Sequence, residues 1–366
     1  MTSPPRLRQS KQEIPVDRIE RAMIQQLPKR AAVCRPIHGF LTLALAATLS
    51  ATVLCAQQPA AATQTPASNA AAPAASQAPA ANDQADTGPV LRLQANEVNL
   101  IFTVTDRHGR YIPNLKLSDF ALLDDGRAPE KVTSFHQQIN LPLRVGLVID
   151  SSTSIRTRFQ FEQQSATEFL LNILRAKSDR AFVMGFDVTP NVTQDWTNDV
   201  DKLETGVNRL RPGGGTALFD AVYTACRDKM LDESRGQEPV RKAIVLLSDG
   251  EDNQSHVYED EAIKECQRSE TIIDAISTNW TPSRGRGDKT LADMAEQTGG
   301  QVLYPPSVQD VYNAFQKIEE ELRSQYALTY TPADFKYNGA FRSIYLYCYD
   351  RRYVVRAKKG YFAPRQ

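Results

Sequence analysis

The chain has 366 residues, 41% of them hydrophobic, and its 43 Lys+Arg are balanced by 43 Asp+Glu. That length allows more than one domain and a sizeable core. The even charge gives no footprint for nucleic acid, and five cysteines in so long a chain exclude a small disulfide-stapled scaffold.

Charge is uneven along the chain. Residues 1–38 carry eight basic residues against three acidic ones, and an uncharged apolar run, Gly39 to Ala56, follows. A basic leader, an apolar stretch and small residues at its end are the parts of a secretory signal. Residues 1–56 are therefore predicted to be a signal peptide cleaved after Ala56, or a segment that stays uncleaved as a membrane tether. The leader is long, and Met23 is an alternative start. Export places the folded part outside the cytoplasm, periplasmic or secreted. Leu54-Cys55 resembles a lipidation site, but Leu54 is too large for the position before the cysteine. Without the leader, Cys226, Cys266 and Cys348 remain. They read as buried free thiols, with a Cys226–Cys266 bridge as the alternative, because both lie in helical stretches flanking one candidate strand.

Residues 57–89 are almost entirely Ala, Pro, Gln, Thr, Ser and Asn. Such a composition buries too little apolar surface to offset its ordering entropy, so this stretch is expected to be a disordered linker. An N-terminal β segment is expected over 90–140. There Val98, Leu100, Phe102 and Val104 alternate with Asn99, Ile101, Thr103 and Thr105, and turns are read at Asp106–Gly109 and Asp124–Gly126. Its counterpart is a C-terminal β segment over 325–366, with strand-like runs at 326–330, 341–349 and 353–357.

Between them, over 141–324, strands and helices alternate. Val145 to Ile149 is short, β-branched and uninterrupted, as in a strand buried on both faces. Ala166, Phe169, Leu170, Ile173 and Leu174 keep the spacing of one buried helix face. Further strands are expected at 181–186, 243–247, 271–276 and 301–304, and helices at 199–209, 217–231, 259–267, 290–297 and 308–322. The fold class that follows is α/β, a doubly wound and mostly parallel sheet, flanked by a small antiparallel β unit built from the two chain ends.

The chemistry concentrates at strand ends. Asp150, Ser152 and Ser154 leave the first strand of the sheet at alternate positions. Thr216 closes the loop Arg211-Pro-Gly-Gly-Gly-Thr216, and Asp249 follows the strand that ends near Leu247. In open α/β sheets ligands sit beyond the carboxyl edge of the strands, where these oxygen-only groups suit a hard cation.

Asp150-x-Ser152-x-Ser154, then Thr216, then Asp249 before Gly250 resembles the metal-ion-dependent adhesion site of von Willebrand factor type A domains. The flanks resemble an exported bacterial subgroup found in Acidobacteria. The resemblance implies Ser152, Ser154 and Thr216 as direct ligands of Mg²⁺ (or Mn²⁺/Ca²⁺), with Asp150 and Asp249 acting mostly through water. Thr153 stands where many members have Gly, which stiffens the loop without removing a ligand. The implied role is a non-catalytic adhesion or assembly module, in which a protein partner's Asp or Glu carboxylate completes the coordination sphere. Two rivals are a metal-assisted hydrolase and an envelope protein with a structural ion. Asp150 has no second carboxylate two residues on, and no His or Lys lies within the motifs, which disfavours the hydrolase.

Other features are set aside. Arg286-Gly-Asp288 spells an adhesive tripeptide, but Asp288 is expected to help cap a helix. The glycine loop lacks the Gly-Lys-Ser/Thr ending of a phosphate loop. His108, His136 and His256 have no ligand spacing, Asp187 reads as a turn residue, and Asp220 and Asp252 are not assigned as ligands.

Overall fold

The computed structural model describes residues 97–139, 141–153, 156, 158–231, 240–279 and 285–365. The chain divides into two units, Met1–Leu93 and Gln94–Gln366, and every described residue belongs to the second. The expected leader, the 57–89 linker and Ser154 lie outside the described residues.

The elements begin with β1 (Val98–Thr105), β2 (Phe120–Asp124), β3 (Lys131–Ile139), β4 (Leu143–Asp150), α1 (Phe159–Ile173), β5 (Arg180–Phe186), β6 (Pro190–Thr197) and α2 (Val200–Arg209). Next come α3 (Leu218–Thr224), which runs into a π-helical turn at Ala225–Met230, then β7 (Arg241–Ser248), α4 (Glu259–Arg268), β8 (Ile272–Ser277), α5 (Arg286–Thr298) and β9 (Val302–Leu303). The last are α6 (Val308–Arg323), β10 (Ser324–Thr331), β11 (Phe341–Cys348), β12 (Val354–Ala357) and β13 (Gly360–Phe362). No helix among the described residues is long and apolar enough to cross a membrane.

The central sheet has the order β6-β5-β4-β7-β8-β9 and is parallel except for β6. β4 pairs with β5 on one side and β7 on the other. Both faces of β4 are buried, which explains its unbroken apolar run. Val145, Leu147 and Ile149 pack with α1, α2 and α6, whereas Val148 packs with α3, α4 and α5. The chain leaves β4 toward β5 and later returns to β7 on the opposite side. That reversal opens a crevice beyond the carboxyl ends of β4 and β7, where a topological switch places ligands. The antiparallel edge strand β6 was not expected. Its sequence, PNVTQDWT, is polar and only half-buried, so it lacks the apolar run of an inner strand.

The two chain ends build two small antiparallel sheets, β12-β1-β10-β3 and β13-β11-β2. β10 sits between β1 and β3, opposing Phe102 with Tyr326 and Leu328 with Phe135. Val98, Leu100, Phe102 and Val104 share a core with Phe120, Leu122, Tyr326, Leu328 and Ile344. The turn after β2 has Asp125 and Gly126 at positive φ, 51° and 77°. It does not close a hairpin onto β3, because β2 pairs with β11 in the other sheet. Asp124 anchors the two sheets, accepting from Tyr330 Oη at 2.7 Å, Tyr361 Oη at 2.9 Å and Arg342 Nε at 2.8 Å.

Cation–carboxylate pairs join these sheets to the α/β layers. Arg356 on β12 pairs with Glu321 on α6 at 2.6 Å, and Lys358 just after β12 pairs with Glu270 at 2.9 Å. The cysteines correct the expectation of free thiols. Cys226 and Cys266 are disulfide-bonded, which joins the π-helical turn after α3 to α4. Both side chains are fully buried in the core they share with Val222 and Ala262. Cys348 is free and buried.

Candidate functional site

The turn after β4 is pinned before any ligand is considered. Asp150 is fully buried; its Oδ1 accepts from the backbone N–H of Ser152 at 2.8 Å and its Oδ2 from the Ser248 hydroxyl at 2.8 Å. The Ser151 N–H and hydroxyl both donate to the carbonyl of Phe186, at 2.8 and 3.0 Å, which ties the turn to the end of β5. Ser152 is 2% exposed. Ser154 cannot be placed against them, since it lies outside the described residues.

The glycine loop ahead of α3 meets that turn directly. The Gly213 N–H donates to the Ser151 carbonyl at 2.6 Å, and the Thr153 N–H to the Gly214 carbonyl at 3.3 Å. The Thr153 hydroxyl donates to the carbonyls of Gly213 and Gly214. None of Gly213, Gly214 and Gly215 has a left-handed φ. Their role is space: a Cβ on Gly213 would stand 1.9 Å from Asp187 Oδ2, and one on Gly215 2.5 Å from Gln254 Cγ. Thr216 is 6% exposed; its N–H donates to Asn253 Oδ1 at 2.9 Å, and its carbonyl accepts from the Asn253 and Gln254 N–H groups.

Asn253 belongs to the segment that Asp249 opens, so the loops after β4, before α3 and after β7 are cross-linked through protein hydrogen bonds. Ser248, at the end of β7, donates to Asp150 and accepts from the Gly250 N–H at 3.0 Å. Asp249 Oδ1 accepts from the Glu251 N–H at 3.1 Å. Gly250 has φ +79°, and a Cβ there would stand 2.1 Å from the Gly287 carbonyl oxygen. Only glycine satisfies both conditions.

Electrostatically the two motif carboxylates oppose one another. Burial, with the charge of Asp249 adding to it, pushes the Asp150 carboxyl up to about 6, although Ser152 and Ser248 donate to it. A third carboxyl was not anticipated. Glu162 on α1 is fully buried, its oxygens make no hydrogen bond, and an ion pair to Arg158 Nε at 3.4 Å is its compensating contact. Burial pushes Glu162 up to about 7; Arg158 opposes the shift, while Asp150 and Asp249 add to it. The sequence held a signal for it. Glu162 precedes Ala166, Phe169 and Ile173 on the buried stripe of α1, where a carboxylate is costly unless compensated.

No group of three or more His, Cys, Asp or Glu among the described residues is placed to hold a metal. The donors gathered here are instead hydroxyls with two motif carboxylates, an all-oxygen set that fits a hard divalent cation. Both Asp150 oxygens already accept protein hydrogen bonds, which suits contact with an ion through water. Ser152 and Thr216 are the described hydroxyls that would hold it.

The neighbouring residues take other roles. Asp187 braces Gly213 and accepts from the Thr189 N–H at 3.3 Å, as in a turn. Asp252 accepts from the Phe219 N–H and the Ser255 hydroxyl, and Asp220 from the His256 and Val257 N–H groups. Asp288 does not cap α5, which corrects its expected role. It lies inside the first turn, 2% exposed, and accepts from the Ser277 hydroxyl at 2.6 Å. The adhesive tripeptide it completes is therefore not displayed.

Residues 145–251 match the family model of the von Willebrand factor type A domain. Over 180 residues the chain is 28% identical to calcium-activated chloride channel regulator 1 of Bos taurus, covering 48% of this chain and 19% of that relative's length. Among solved structures, a von Willebrand factor type A protein from Catenulispora acidiphila is 15% identical, with a TM-score of 0.42, covering 69% of this chain and 74% of that one. Proximal thread matrix protein 1 from the mussel byssus, solved with zinc in its MIDAS motif, is also 15% identical, with a TM-score of 0.43, covering 55% and 50%. The family match spans β4, the glycine loop and β7, and on that match the chain contains a von Willebrand factor type A domain.

Proposed function

We propose that this chain is an exported, non-catalytic protein-binding module whose crevice holds a divalent cation, Mg²⁺ in the first instance, and uses it to engage a carboxylate of a protein partner. One observation carries the reading. Asp150, Ser152, Thr216 and Asp249 sit on three loops cross-linked to one another at the switch point of the sheet. Neutral hydroxyls as direct ligands leave much of the cation's charge uncompensated, so an incoming Asp or Glu gains strongly from filling an open coordination position. Ser154 belongs to the proposed ligand set by its place in the motif.

Export is supported by the basic leader with its apolar run, and by the Cys226–Cys266 disulfide, since such bonds persist in oxidising compartments. The proposed organisation is a signal or anchor over 1–56, a linker over 57–89, the domain over 141–324, and β segments over 90–140 and 325–366. In this reading the motif carboxylates Asp150 and Asp249 serve the ion rather than proton transfer.

The test is retention of envelope proteins on the immobilised chain in Mg²⁺, in EDTA, and with Asp249→Ala in Mg²⁺. A partner retained by the wild type in Mg²⁺ alone is the expected result. Equal retention in EDTA or by Asp249→Ala would overturn the reading.

A further inference from the structure

A groove of about 900 Å³ lies between α4 and α5 and opens directly off the loop that follows Asp249, with Gly250 and Glu251 forming its near wall. Its floor is apolar and includes Phe219, Ile263, Phe341 and Phe362. Phe341 and Phe362 come from the C-terminal β segment and meet edge to face with ring centres 5.3 Å apart. The groove therefore runs from the candidate cation site to the β unit. Tyr258 at its edge is 75% exposed and Phe341 is 43% exposed. Such aromatic side chains anchor partners when a surface is covered.

The rim is acidic. Five carboxylates line the groove against two basic side chains. Of those two, Lys264 is already paired with Asp260 at 2.6 Å. Glu251 and Asp252 are likewise engaged, with the Gly287 N–H and with Ser255. Glu259 and Asp293 remain, set against Arg286 as the one further basic side chain of the lining. Burial and the charge of Asp293 hold the Glu259 carboxyl above its ordinary range, with Lys289 and Arg286 opposing only in part. A cation seated between them would relieve that repulsion.

We propose that this groove seats a short segment of the partner polypeptide that carries a large apolar side chain beside a Lys or Arg, the apolar group on the phenylalanine floor and the cation at Glu259 and Asp293. This deepens the reading given above, because the same partner would reach the ion with its carboxylate a few residues away. It names a second, oppositely charged determinant of recognition. Burial on the floor supplies affinity, and the acidic rim supplies selection against acidic or neutral segments.

The experiment is affinity selection of a phage-displayed library of short random peptides on the chain in Mg²⁺. Enriched peptides are then titrated against wild type, Glu259→Lys/Asp293→Lys and Asp249→Ala, each with Mg²⁺ and with EDTA. Glu259 is half-buried and Asp293 exposed, so the double variant should keep its fold; Glu259→Gln/Asp293→Asn serves as the milder control. Enriched sequences should pair Lys or Arg with an aromatic or large aliphatic residue, and should bind the charge-reversed variant roughly tenfold or more weakly. No enrichment, enrichment without basic residues, or equal affinity for the charge-reversed variant would each overturn the proposal. If charge reversal weakens binding while EDTA and Asp249→Ala do not, the groove stands and the cation-dependent function fails. If EDTA abolishes binding while charge reversal changes nothing, the function stands and the groove proposal fails.

Discussion

The Thr153 hydroxyl donates to the Gly214 carbonyl at 3.1 Å, which fastens the turn that presents Ser152 to the glycine loop that presents Thr216. The hydroxyl adds to the backbone bonds that already join the two loops. Thr153→Gly should keep the fold and lower thermal stability by about 1 kcal/mol, the worth of a partly exposed hydrogen bond. It should also weaken cation binding, because the two ligand-bearing loops are then joined only by the backbone bonds from Gly213 to Ser151 and from Thr153 to Gly214; Thr153→Ser should restore both. Differential scanning calorimetry with and without Mg²⁺ checks this, and unchanged cation affinity in Thr153→Gly would show that the tie is structural only.

Gly250 is expected to tolerate no side chain. Its φ of +79° and the Gly287 carbonyl 2.1 Å from an added Cβ both oppose substitution. Gly250→Ala should cost at least about 2 kcal/mol and disturb the loop that begins at Asp249. Urea denaturation gives the stability loss; a variant as stable as wild type would mean that α5 moves freely away from this loop.

Much of this was legible in the sequence, and the rest has physical reasons. The sheet could be read because Val145 to Ile149 and Ala243 to Leu247 are buried on both faces and so carry unbroken apolar runs. The pairing of the chain ends was signalled by the alternation at Val98, Leu100, Phe102 and Val104, all of which point into one core. β6 escaped because an edge strand with polar side chains looks like a loop. The Cys226–Cys266 bond depends on how the turn after α3 meets α4, a tertiary fact that spacing does not encode. Asp150 and Asp249 stood out at strand ends. Glu162 did not, because a glutamate within a helix reads as solvated unless its place on the buried stripe is noticed.

Glu162 gives a pH-dependent expectation. Its carboxyl is pushed up to about 7 from an ordinary value of 4.5. Ionising it in the folded chain thus costs stability, with the cost growing as pH rises from near 4.5 to 7 and constant above. Glu162→Gln should stabilise the metal-free chain at pH 8 by up to about 3 kcal/mol, the equivalent of that shift. At pH 4, where the carboxyl is protonated in both states, the gain should be absent. Melting curves at the two pH values decide it, and a gain of equal size at both would place the effect in packing rather than charge.

The disulfide closes a loop of 40 residues in sequence separation. Cys226→Ala/Cys266→Ala should lower stability by about 3 kcal/mol while leaving Mg²⁺ affinity unchanged, because the bond lies in the core beneath α3 and α4 rather than at the crevice. Urea titration of the two proteins gives the difference. Mass spectrometry of the native protein should find Cys348 as the one free thiol downstream of residue 97.

The central claim is the cation site, and its most direct measurement is calorimetric titration of Mg²⁺ into the EDTA-stripped chain, wild type beside Asp249→Ala, with circular dichroism confirming that both are folded. Asp249 is one of two motif carboxylates and lies on a loop beyond the sheet, so its loss should spare the fold and weaken the ion by roughly tenfold or more. One saturable site in the wild type and a markedly weaker one in Asp249→Ala is the expected result. Equal Mg²⁺ affinity in a folded Asp249→Ala chain, or no saturable binding by the wild type, would contradict the account.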